Sequence, residues 1–161
     1  ENSQVVEAIL QKASSHDLEW LVKNYLFTPI GITNYHWDSY TNNGVPAWGG
    51  LSLTTRDIAR LGALVCNHGC WNDNQIVSND WLEKSIQLES KDGKVGYGLH
   101  CWITSQPDGR PLFYAAGYGD QYVYVAPDKK IVVAINGQNF TDYKWPKEID
   151  RLIKSIFSSL E

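Results

Sequence analysis

The sequence predicts an α+β fold, an antiparallel sheet covered by a C-terminal helix and preceded by a mainly helical and loop region. Three observations predict it. Runs rich in β-branched and aromatic residues crowd residues 97–135, with short turn signals between them. Trp145, Ile149, Leu152, Ile153, Ile156 and Leu160 follow at helical spacing, forming one apolar face ready to cover a sheet. Ahead of the sheet, apolar residues recur at helical spacing in several short segments. Helices, then a meander, then a covering helix make a layered architecture.

The elements follow in chain order. Val5, Val6, Ile9, Leu10 and Ala13 predict a helix over residues 3–13. Leu18, Leu21, Val22 and Tyr25 predict a second over 16–25, which Pro29 and Gly31 then break. Residues 29–50 read as a long loop, a feature that is uncommon in compact domains and often functional. Its Trp37, Tyr40 and Trp48 either line a cleft or pin the loop to the core, and pinning is the favoured reading for Trp37. Thr54-Thr55-Arg56-Asp57 has the Thr-x-x-Asp form of a capping box. Ile58, Leu61, Gly62, Val65 and Cys66 continue that helix, and Gly69 fits its stop. A short helix with Trp81, Leu82 and Ile86 follows Ser78. Strands are expected over 97–103, 112–116, 121–126 and 130–135. Pro107-Asp108-Gly109 and Pro127-Asp128-Lys129 suit hairpin connections, so neighbouring strands run antiparallel. Residues 1–90 therefore hold helices and the long loop, 95–136 the strands and 144–160 the last helix, all within one domain portion spanning 1–161.

Composition narrows the function classes. The 161 residues include 43% hydrophobic ones, enough for a real core. No apolar run approaches the roughly 18 residues that span a bilayer. The net charge is −4, and the basic residues are scattered, with Lys129-Lys130 the densest pair. A nucleic-acid or polybasic membrane surface needs a clustered footprint, so neither partner is expected. Three cysteines in one domain argue against a full disulfide framework. Cys66-x-His68-x-Cys70 lacks the spacing of a zinc site and reads as small side chains near a helix end, or as a local Cys66–Cys70 disulfide. No metal or cofactor is expected. The chain starts at Glu1 and contains no Met, which suggests a cut with functional residues upstream.

Gly49-Gly50-Leu51-Ser52-Leu53-Thr54-Thr55-Arg56-Asp57-Ile58-Ala59-Arg60-Leu61-Gly62 resembles a stretch typical of the serine β-lactamase-related superfamily. Asn67-His68-Gly69-Cys70-Trp71-Asn72 and Gln75-Ile76-Val77-Ser78 continue the likeness. Leu26-Phe27-Thr28-Pro29-Ile30-Gly31-Ile32 upstream, and Gly117-Tyr118-Gly119-Asp120-Gln121 with Val125-Ala126-Pro127 downstream, extend it over nearly the whole chain. The pattern is most similar to class C β-lactamase-like hydrolases, including esterases and 6-aminohexanoate-oligomer hydrolases.

That resemblance implies acyl transfer through a Ser-x-x-Lys nucleophile, with a Tyr completing proton transfer and a Lys-Thr-Gly-like strand forming one wall of the site. No Ser here is followed by Lys three positions on. Tyr40-Thr41-Asn42 matches Tyr-x-Asn, but it follows the Pro-x-Gly-Ile segment and reads as a coincidence. Catalytic residues are therefore expected upstream of Glu1, and none within this chain. Ala115-Ala116-Gly117 stands where the resemblance places Lys-Thr-Gly, which weakens a β-lactamase or penicillin-binding reading. Substrate contacts are expected from Ala115, Ala116, Gly117, Tyr118, Gly119, Asp120 and Trp48. Asp120 is either a rim acid favouring neutral or cationic substrates or a solvated turn residue. Asp57 and Arg60 are better explained by capping and pairing on the helix surface.

The implied parent is a hydrolase of a small ester or amide, favoured as periplasmic or secreted, and this chain alone is expected to be inactive. The alternative is a catalytically inactive module that binds a ligand or partner. The expected partners are the substrate and either the missing N-terminal segment or a self-associated copy, because a strand edge would otherwise stay unpaired.

Overall fold

A computed structural model describes residues 2–39, 44–87, 90–92, 95–140 and 147–160. Helix α1 spans Asn2–Ser14 and α2 spans Leu18–Val22. Asp17 starts α2 by accepting the Trp20 amide at 2.7 Å, one residue after His16 stacks on the Trp20 indole. The helix then widens into π-type turns over Lys23–Phe27. The second predicted helix is thus shifted, beginning two residues later and ending two residues further on.

The long loop is not structureless. Strand β1, His36–Trp37, pairs antiparallel with β2, Leu51–Ser52. The Trp37 indole donates to the Pro46 and Gly49 carbonyls at 3.2 and 3.0 Å, which ties the loop to itself. Tyr40, Thr41 and Asn42 lie outside the described residues. The Phe27-to-Ile32 segment is a core motif: Phe27, Ile30 and Ile32 bury fully with Leu64, flanked by Leu51, Leu53, Leu61 and Trp71. Each such burial stabilises by roughly 1.5–3 kcal/mol.

Helix α3 spans Thr55–Cys66 and is opened by the expected cap. Thr54 Oγ1 accepts the Asp57 amide at 3.2 Å and donates to the Asp57 carboxylate at 2.6 Å. At the other end the Gly69 amide reaches the Leu64 carbonyl at 2.9 Å, with Gly69 at φ +81°. A Cβ there would sit 1.9 Å from the Val77 carbonyl oxygen, so glycine is required. A small hairpin of β3 (Cys70–Trp71) and β4 (Asn74–Gln75) follows. Helix α4, Asn79–Ser85, is capped by Ser78 as its sequence suggests. All three cysteines are free. Cys66 is buried at the end of α3 while the Cys70 thiol donates to Gln75 Oε1 at 3.0 Å, so the local disulfide is not formed.

Six antiparallel strands form the main sheet: β5 (Ser90–Asp92), β6 (Val95–Tyr97), β7 (Trp102–Ser105), β8 (Pro111–Gly117), β9 (Gln121–Ala126) and β10 (Ile131–Asn136). They lie side by side in sequence order, a plain meander. The strand expected over 97–103 is divided. Gly98 to Cys101 form the turn of a β6–β7 hairpin, the Gly98 amide donating to the Cys101 carbonyl at 2.8 Å and His100 at φ +57°. A Cβ on Gly98 would meet the Ser85 carbonyl oxygen at 2.4 Å, so glycine lets this turn pack against the end of α4, where the Leu99 amide donates to the same carbonyl at 2.9 Å.

Two helices cover the sheet. Leu112, Tyr114, Tyr122, Tyr124 and Ala126 on one face pack with Ile153 and Phe157 of α5, Lys147–Ser158. Trp145 lies outside the described residues. Helix α3 packs on β9 and β10 from the opposite face. Gly62 permits that approach, since a Cβ there would stand 2.5 Å from Val132 Cγ1 and 2.8 Å from Val123 Cγ2. The order is α3, sheet, α5.

Candidate functional site

The sheet has two unlike ends, and Ala115 to Asp120, six of the seven sequence-predicted contact residues, lie at one of them. Strand β8 pairs with β7 only as far as Trp102↔Tyr114. Ala115, Ala116 and Gly117 continue beyond that point and pair with β9 alone, opposite Val123, Tyr122 and Gln121. All three residues are exposed. The β7-side backbone edge of these residues is therefore open among the described residues, which suits an extended polar group.

The turn that follows is tightly held. Gly119 at φ +91° and Asp120 at φ +66° reverse the chain. Residues beyond β10 then run alongside. The Gly137 amide donates to the Asp120 carbonyl at 3.0 Å and the Asn139 amide to the Gly119 carbonyl at 3.2 Å. Gln121 Nε2 donates to the Gly137 carbonyl at 3.1 Å, and Tyr118 Oη donates to the Phe140 carbonyl at 2.8 Å. The Tyr118 and Phe140 rings pack at 5.5 Å, yet each stays more than half exposed.

The Gly49–Leu53 segment is tied to this end, because Asn136 Nδ2 donates to the Leu53 carbonyl at 3.4 Å. Trp48, 64% exposed, precedes that segment. Asp57 lies in the first turn of α3 and is almost fully buried. The Thr54 hydrogen bond holds its carboxyl below the usual carboxylate range against the opposing effect of burial, and the Arg60 guanidinium assists. Its carboxylate is fully engaged in the cap, so its role here is to fix α3. Phe140 was missed by reading the sequence. The only available signal was that an apolar residue follows the last strand, and residue spacing does not reveal that the chain doubles back over the turn.

The model of the family described as Beta-lactamase matches residues 2–153. This chain belongs to that family. Membership places it in a serine hydrolase-like superfamily. No curated protein matches the sequence. Among solved structures, a Bacillus anthracis protein assigned as a 6-aminohexanoate-dimer hydrolase is 24% identical with a TM-score of 0.82, over 98% of this chain and 41% of its own. The octameric penicillin-binding protein homologue from Pyrococcus abyssi is 21% identical with a TM-score of 0.76, over 96% and 40%. A penicillin-binding protein from Bacillus halodurans is 15% identical with a TM-score of 0.71, over 94% and 53%. These likenesses concern the fold. The chain spans about two-fifths of the length of the first two structures.

Proposed function

We propose that these residues form one wall of a serine hydrolase that cleaves a small ester or amide through an acyl-enzyme, with the nucleophilic Ser, its Lys and the Tyr outside the 161 residues. The observation that carries this reading is the open backbone edge of Ala115, Ala116 and Gly117 beside a locked glycine turn. A strand edge of this kind aligns an acyl group by hydrogen bonds to backbone, and preorganised N–H donors can stabilise a developing oxyanion. The lack of any Ser-x-x-Lys in the sequence supports a nucleophile outside these residues.

Two further surfaces fit a longer protein. Strand β10 has β9 on one side and no strand on the other among the described residues. It is apolar and uncharged through Ile135, the kind of edge that recruits more chain. Val5, Val6, Ile9 and Leu10 of α1 are also exposed. The occupant is either further sequence of the same protein or a second copy. The test is active-site labelling. A fluorophosphonate should label the full-length protein stoichiometrically and leave the 161-residue chain unlabelled. Labelling of the short chain would overturn the placement of the nucleophile. Failure to label the full-length protein would favour an inactive ligand-binding module.

A further inference from the structure

We propose that Tyr118 and Phe140 form a preset aromatic platform that selects a substrate carrying a flat apolar ring; this rests on the hydrolase reading above. The platform begins at the residue directly after the open edge of β8. Its two rings are tilted by 48° with centroids 5.5 Å apart, and they are 56% and 53% exposed. Exposed aromatic side chains ordinarily keep rotamer freedom, which a ligand must then freeze. Here that freedom is already restricted. Tyr118 Oη is anchored on the Phe140 carbonyl at 2.8 Å, and the Phe140 backbone is held next to the turn by the Asn139 amide. Gly119 completes the fit, since a Cβ there would stand 2.4 Å from Phe140 Cε1. Aromatic side chains fixed before binding but left open to solvent suit a planar partner, which they meet by offset or edge-to-face packing. Asp120 stands in the same turn and biases the rim against an anionic ring substituent.

The experiment uses the full-length protein and ester pairs differing by one ring: methyl phenylacetate against methyl acetate, and benzyl acetate against methyl acetate. Wild type should prefer the ring-bearing ester in at least one pair, measured as a ratio of kcat/KM. Tyr118→Ala and Phe140→Ala should each reduce that preference about 3- to 10-fold. Tyr118→Phe keeps the ring and loses the anchor, so it should reduce the preference less than Tyr118→Ala. Phe140→Leu serves if the alanine variant folds poorly. A purely structural role would lower both members of a pair equally and leave the ratio unchanged, which would overturn the platform, as would a wild type with no ring preference. Turnover with an unchanged ratio overturns the platform alone. Absence of both turnover and fluorophosphonate labelling overturns the hydrolase reading and the platform with it.

Discussion

Strands β8, β9 and β10 close in opposite ways at their two ends. At the end far from the candidate site, charge does the holding. Arg110 pairs with Asp108 and, at 2.6 Å, with Asp128, while Lys129 reaches Asp108 at 3.3 Å. Buried Gln106 donates to the Pro111 carbonyl and to Asp128, both at 2.9 Å. Hydrogen bonds from the Arg110 side chain and amide hold the Asp108 carboxyl far below its usual range. At the site end, glycine turns and backbone hydrogen bonds replace these ion pairs, and exposed rings replace charged side chains. One end therefore spends its polar groups on the fold. The other satisfies its turn internally and, among the described residues, leaves a backbone edge open and two rings more than half exposed. Stability and recognition are separated along the same three strands.

This contrast can be broken at either end. The largest effect is expected from Gly119→Val. A β-branched residue cannot adopt φ +91° without strain, and its side chain would displace Phe140. If the site end positions substrate, kcat/KM of the full-length protein should fall about 100-fold, as misplacements near 1 Å can do. An unchanged kcat/KM would show that this end is merely a turn.

Asp57→Asn comes next, because it tests what holds α3 beneath the site end. Losing a buried, charged cap should cost about 1–3 kcal/mol by urea unfolding at neutral pH. The sign with pH follows from the lowered carboxyl pKa. The advantage of wild type over the variant is complete above the unfolded carboxylate value near 4 and is lost as pH falls through the lower folded value. Equal stabilities at pH 7 would remove the cap from the account.

The smallest effect belongs to the charged end. Arg110→Ala should lower the melting temperature by less than Asp57→Asn does, because Arg110 is half exposed. Added salt should narrow the difference from wild type. The kcat/KM of the full-length protein should stay at the wild-type value. A fall in kcat/KM without a change in melting temperature would mean that the two ends are coupled.

The elements were most legible where local chemistry decides them. The Thr54–Asp57 cap, the Gly69 stop, the Ser78 cap and the two proline-containing hairpins need only their own neighbours. The turn at Gly98–Cys101 was not legible, because it carries no proline and packs against Ser85, which lies in another element. The β1–β2 pair was hidden for a similar reason, as two-residue strands carry too few side chains to show a period. The apolar repeat in α1 correctly signalled a helix. It did not tell which surface that face meets, and Val5, Val6, Ile9 and Leu10 are exposed.

At the candidate site the same division holds. Ala115 through Asp120 are singled out by their resemblance to the family's strand and glycine turn, and the turn itself depends on backbone freedom written into the sequence. The sequence by itself determined the helix caps, the antiparallel run of β8, β9 and β10, the covering helix and the lack of a Ser-x-x-Lys motif. Tertiary structure alone decided that β8 outruns β7, leaving an open edge, and that Phe140 returns to lie on Tyr118. Both depend on where separate segments stop relative to one another in space. Side-chain periodicity within one segment does not encode an alignment between segments.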